Sequence, residues 1–168
     1  VAPGVAERWT ISTDGKVYTF HLRATAKWSN GDPVKASDFV FSLRRIMDPA
    51  TGAKYANVLF PILNAEKVNK KQDGKTPADL GVKAIDDRTL EITLERPTPY
   101  FLELLTHQTG TPVHPGNVQA AGKDFIKPGT LVSNGAYVLV ENVPNSHIKL
   151  AKNPHFHDAK NVQIDTVF

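Results

Sequence analysis

The chain has 168 residues; 40% are hydrophobic and the 11 glycines add about 7%, which reaches the ~45–50% of globular domains and argues against disorder. Its formal net charge of +3 comes from 20 basic and 17 acidic residues mixed along the chain, so it carries no phosphate-binding run. The complete lack of cysteine excludes disulfides, thiolate metal sites and cysteine nucleophiles, and no apolar run approaches the ~18–20 residues of a membrane-spanning helix.

The first element is a hairpin. Arg8-Trp9-Thr10-Ile11-Ser12 and Lys16-Val17-Tyr18-Thr19-Phe20-His21-Leu22-Arg23 alternate around Thr13-Asp14-Gly15, which supplies an Asp-Gly turn. The alternation puts Tyr18, Phe20 and Leu22 on one face, with Trp9 and Trp28 read as structural packing around the hairpin. A helix over Ala36–Met47 follows from the spacing of Phe39, Val40, Leu43, Ile46 and Met47, and Asp48-Pro49 stops it. A shorter helix is expected over residues 55–59. Residues 64–81 are polar, hold the densest basic stretch (Lys67, Lys70, Lys71, Lys75) and read as a solvated surface excursion.

A second hairpin spans residues 82–95, with Leu90, Ile92 and Leu94 on its buried face. Residues 100–107 read as a helix with Thr98 as N-cap and Pro99 at the first helical position. After an irregular crossing over 110–116 and a short helix near 117–121, strands are expected over 136–141, 147–151 and 163–168. The last strand reaches Phe168 without a turn, and no initiator Met opens the chain, so the sequence reads as a portion of a longer protein.

Catalytic patterns are poor. Gly-x-Ser-x-Gly, His-Glu-x-x-His and phosphate-loop glycines do not occur. The best metal candidate is His155-Phe156-His157-Asp158, but it follows the Asn153-Pro154 turn and reads as a surface loop. Asp86-Asp87 is ordinary turn chemistry. No cofactor is implied, and the chain reads as a non-enzyme; a hydrolase with a site that no motif marks is the weaker reading.

Longer matches lift this reading. Pro3-Gly4-Val5-Ala6-Glu7-Arg8-Trp9, Asp14-Gly15-Lys16-Val17-Tyr18-Thr19-Phe20-His21-Leu22-Arg23 and Ala26-Lys27-Trp28-Ser29-Asn30-Gly31-Asp32-Pro33-Val34 resemble the oligopeptide-binding proteins that serve ABC importers. So do Asp38-Phe39-Val40-Phe41-Ser42, Asp48-Pro49, Asp79-Leu80-Gly81-Val82, Pro97-Thr98-Pro99-Tyr100-Phe101, Ser133-Asn134-Gly135-Ala136-Tyr137 and Asn153-Pro154. The matches keep their order across nearly all 168 residues. One departure is His155-Phe156-His157-Asp158, where the family commonly carries an aromatic pair.

The resemblance implies an α+β chain of the two-lobed periplasmic binding protein type, with residues 1–114 as the small lobe and 115–168 as a partial segment of the main lobe. It implies peptide capture in the periplasm, or on a lipid-anchored extracellular protein in a Gram-positive host, and delivery to an ABC permease. Peptide binding then needs domains outside this stretch, including the acid that pairs with the peptide amino terminus. Within the stretch, Tyr55 matches the family's small-lobe tyrosine that lines the cleft, and His107 is a second ligand-binding candidate. Tyr55 is also readable as a half-buried helix residue, and His107 as a satisfied core histidine. Nucleic acid is not expected as a partner; self-association through the 163–168 strand is. An inert structural fragment and a binder of a non-peptide ligand stay open as alternatives.

Overall fold

A computed structural model describes residues 1–168 and divides the chain into two compact units. The first comprises Val1–Arg23 and Lys35–Pro112, the second Ala24–Val34 and Val113–Phe168. The segment Ala24–Val34 therefore leaves the unit of its sequence neighbours, which the single cut after residue 114 did not anticipate.

The first unit is built on a four-stranded antiparallel sheet ordered β1-β2-β4-β3, from β1 (Ala6–Ile11), β2 (Val17–Leu22), β3 (Val82–Asp86) and β4 (Thr89–Thr93). Both expected hairpins form. The first turns at Gly15, whose φ of +71° suits glycine, and the Ser12 hydroxyl accepts from the Val17 N–H at 2.9 Å. Tyr18, Phe20 and Leu22 point inward and sit across from Ile92, Leu90 and Thr89–Arg88, where Leu22 N–H donates to the Arg88 carbonyl. Trp9 packs on Phe20 with ring centroids 6.4 Å apart, as a structural residue.

Helix α1 runs over Ala36–Met47, as its apolar spacing dictates. Its Asp38 carboxylate accepts from the Lys35 N–H at 2.9 Å, and Arg44 and Arg45 close the last turn, where cations favour the helix dipole. Ala36, Leu43 and Met47 face the core, with Phe39, Val40 and Ile46 packed beside them. Asp48 ends it and caps the next turn by accepting from the Ala50 N–H.

Three local expectations need correction. Residues 64–81 are anchored rather than solvated: Ala65, in α2 (Ala65–Asn69), is buried together with Val68 and Leu80, while the lysines between them stay outside. Three well-spaced apolar side chains hold a segment that its average polarity marks as loop. Thr98 is not an N-cap. Its hydroxyl donates to the Arg96 carbonyl, its carbonyl accepts from the buried Tyr18 hydroxyl at 3.2 Å, and α3 (Phe101–Leu104) starts at a Tyr100 cap. The expected helix over 55–59 is a 3₁₀ turn, Ala56–Leu59.

The second unit holds α4 (Pro115–Ala121) and a three-stranded antiparallel sheet of β5 (Tyr137–Val143), β6 (His147–Lys152) and β7 (Thr166–Val167). The last strand is only two residues long, since pairing with β6 covers just Leu150↔Val167 and Ala151↔Thr166. Trp28 is buried, edge-on to His114 at 5.2 Å. His114 caps α4: its Nδ1 accepts from the Asn117 N–H at 3.0 Å, which leaves Nε2 to donate to the Asp32 carboxylate at 2.9 Å. Asn153 is fully buried, donating to the Gly135 carbonyl and accepting from the His155 N–H, so the Asn-Pro turn is fixed from within.

Five carboxyls are held below their ordinary range by hydrogen bonds to the charged form. These are Asp14 through Ser12, Asp32 through Asn30 and then His114, Asp79 through the Thr76 backbone, Asp86 through the Arg88 backbone, and Glu141 through His147. A folded-state value below the unfolded one adds stability above the unfolded value, and that stability is lost as pH falls through the folded value. The melting temperature is therefore expected to hold steady above about pH 5 and to fall towards about pH 3. The combined Asp79→Asn and Asp86→Asn substitutions flatten that fall. Equal melting temperatures at the two pH values would refute the assignment.

Candidate functional site

The two residues that the sequence nominates come together in the first unit. Tyr55 opens the 3₁₀ turn Ala56–Leu59, and that turn is fixed by the buried Ala56 and Leu59. The approach is set by Gly52, whose φ of +64° lets the chain reverse after Asp48-Pro49, and by the Thr51 hydroxyl donating to the Arg45 carbonyl at 2.6 Å. With both ends of the turn tied down, Tyr55 is left 55% exposed.

His107 follows α3 and caps a second 3₁₀ turn, Gln108–Gly110. Gly110 closes it tightly: a Cβ there would lie 2.7 Å from the Leu105 carbonyl oxygen, so the chain folds back on α3 only with glycine at this place. The His107 Nδ1 accepts from the Thr109 N–H at 3.3 Å and lies 3.0 Å from its hydroxyl. Thr109 itself is buried. The His107 ring meets Tyr55 edge-on, with centroids 5.6 Å apart and planes inclined by 60°.

The pair offers an exposed aromatic face and one phenol hydroxyl beside a tethered imidazole. Such a surface suits binding: it supplies apolar contact and hydrogen bonding without a paired acid and base. Thr109 escaped the sequence reading. Its only signal is the His-x-Thr-Gly spacing, which shows a cap once the 3₁₀ turn is known.

No group of three or more His, Asp or Glu side chains is placed to hold a metal ion. His155 donates its backbone N–H to the Asn153 side chain, and the His157 ring packs tilted against Phe156, with centroids 4.3 Å apart and planes inclined by 53°. His147 and Lys149 both engage Glu141, at 3.1 and 3.0 Å. No helix is long and apolar enough to cross a membrane.

The family model described as "Bacterial extracellular solute-binding proteins, family 5 Middle" matches residues 1–167. The chain belongs to this family. Among family 5 relatives, the periplasmic oligopeptide-binding protein OppA of Escherichia coli (strain K12) is 47% identical over 163 residues, covering 96% of this chain and 30% of the relative. The Haemophilus influenzae OppA structure in complex with the peptide RPPGFSPFR superposes with a TM-score of 0.94 at 43% identity, covering 98% of this chain and 32% of that one. The "Probable deoxycholate-binding periplasmic protein YgiS" of E. coli (strain K12) is 42% identical across 99% of this chain and 31% of its own length. The chain thus spans about 30% of the length of the curated relatives it matches. The mixed helices and antiparallel sheets are those of the two-lobed periplasmic binding fold in these family 5 neighbours, and the relatives are solute-binding proteins.

Proposed function

We propose that this chain is part of a periplasmic family 5 protein, or its lipid-anchored counterpart in a Gram-positive host, that captures oligopeptides and delivers them to an ABC permease. The observation that carries this reading is the 43% identity, over 98% of the chain, to a relative solved with a peptide bound. In this reading the chain is a binding protein and not an enzyme. The unit of Val1–Arg23 and Lys35–Pro112 forms the small lobe, and the unit of Ala24–Val34 and Val113–Phe168 forms part of the main lobe. Tyr55 lines the peptide cleft, and His107 packs against its ring. The pairing of the two rings, 5.6 Å apart on anchored 3₁₀ turns, supports that role.

Replacing Tyr55 by Ala in the full-length protein is expected to weaken peptide affinity by roughly 1–2 kcal/mol, the worth of one hydrogen bond plus ring packing. Folding should change little, since the ring contributes almost nothing to the core. Calorimetry with a mixed tri- to pentapeptide set, alongside a thermal melt, checks both. A sharply lower melting temperature with unchanged affinity of the folded fraction would make Tyr55 a packing residue.

A second reading, capture of an amphipathic non-peptide carboxylate, is favoured by the likeness to YgiS. The same calorimeter cell with deoxycholate in place of peptide separates the two.

A further inference from the structure

We infer that His107 is a positioning residue: it acts through Tyr55, holding that ring at a fixed angle, and does not itself touch the ligand. This rests on the reading of Tyr55 as a ligand contact. Tyr55 has few restraints of its own. It is a cap residue with φ −112° and ψ 24°, its side chain makes no capping bond, and more than half of it faces solvent. Its ring-to-ring contact is the edge-on meeting with His107. An exposed tyrosine without a neighbour samples its staggered χ1 rotamers, and binding then costs the freedom lost when one is selected.

His107 is the better anchored partner. Its Nδ1 is tied to the backbone N–H and the hydroxyl of Thr109, two residues on in the same turn. Thr109 is only 6% exposed and cannot swing away, and Gly110 locks the turn against Leu105. An imidazole fastened at Nδ1 has its ring plane fixed. Edge-on packing then transfers that fixed orientation to the phenol, because tilted aromatic pairs have a preferred geometry. Nδ1 is occupied by the Thr109 tether, and the ring held there pairs with Tyr55 at an inclination of 60°.

The arrangement makes a specific demand on substitutions. In His107→Asn the side-chain oxygen takes the place of Nδ1, so the cap on Thr109 persists while the ring edge is removed. In the full-length protein, peptide affinity is expected to fall roughly three- to tenfold with His107→Asn, the usual worth of one aromatic pair. Adding His107→Asn to Tyr55→Ala should change affinity no further, since there is no ring left to hold. If the two effects add instead, His107 meets the ligand directly and the positioning role is overturned. His107→Ala serves as a second variant: it loses ring and cap together, so it should also lower the melting temperature, which His107→Asn should not.

A readout independent of affinity is the NMR signal of the Tyr55 ring protons without peptide. They are expected to move towards random-coil values in His107→Asn. Unmoved ring protons overturn the positioning contact. Moved ring protons together with unchanged affinity in Tyr55→Ala overturn the ligand reading of Tyr55 instead.

Discussion

Phe101→Ala is expected to destabilise the first unit by about 3–5 kcal/mol, the usual cost of removing a fully buried aromatic ring. Phe101 has no exposed surface, and its ring meets Tyr18 edge-on at 5.0 Å. Tyr18 is itself buried, with its hydroxyl donating to the Thr98 carbonyl. Removing the ring leaves a void between α3 and the sheet that neither neighbour can fill: Tyr18 is held by its hydrogen bond, and the chain at Thr98 is bounded by two prolines, Pro97 and Pro99. The resulting cavity adds to the lost burial. Phe101→Leu, which refills most of that volume, should cost about 1–2 kcal/mol. Denaturant titration of the two variants gives the comparison, and a Phe101→Ala midpoint within error of the parent would show that α3 is not part of this core.

Gly81→Ala is the second large effect, expected at about 3 kcal/mol and a fall of roughly 10–20 °C in melting temperature. The cause is crowding at a three-way backbone crossing. Gly81 N–H donates to the Leu63 carbonyl at 2.9 Å, Thr93 N–H donates to the Gly81 carbonyl at 2.8 Å, and Leu63 N–H donates to the Thr93 carbonyl at 2.8 Å. A Cβ on Gly81 would sit 2.6 Å from the Leu63 Cβ and 2.7 Å from the Thr93 carbonyl oxygen. Relief requires moving backbone flanked by Ile62 and Leu94, both in the core. Gly74 is the control. It has φ of +64° but open space around it, so Gly74→Ala meets only backbone strain and should cost about 1 kcal/mol. Equal melting curves for Gly81→Ala and its parent would refute the crossing.

The two glycines show where sequence reading stops. Asp14-Gly15 announces its turn in the residues themselves, because a short polar side chain followed by glycine suits a tight reversal. Gly81 carries no such signal: its role is set by Leu63 and Thr93, eighteen and twelve residues away. The same division separates Thr98 from α1. The spacing of Phe39, Leu43, Ile46 and Met47 is a local pattern that only a helix satisfies. Thr98 before Pro99 is equally convincing as a cap, yet a carbonyl bond to Tyr18 and a buried hydroxyl win, since Phe101 must reach the core. Tyr55 and His107 were each nominated from the sequence, but fifty-two residues separate them and nothing local pairs their rings.

The sequence by itself determined the two hairpins with their inward faces, α1 with both its ends, and, through ordered motifs, membership of the family 5 solute-binding proteins. These are properties of short-range periodicity and of turn chemistry, which act within a few residues. Only the tertiary structure decided that Ala24–Val34 leaves its neighbours for the second unit, that residues 64–81 are pinned by Ala65, Val68 and Leu80, and that His107 is tethered through Thr109 against Tyr55. Those outcomes depend on which distant surfaces are buried together, and burial is a property of the folded whole that no window of sequence contains.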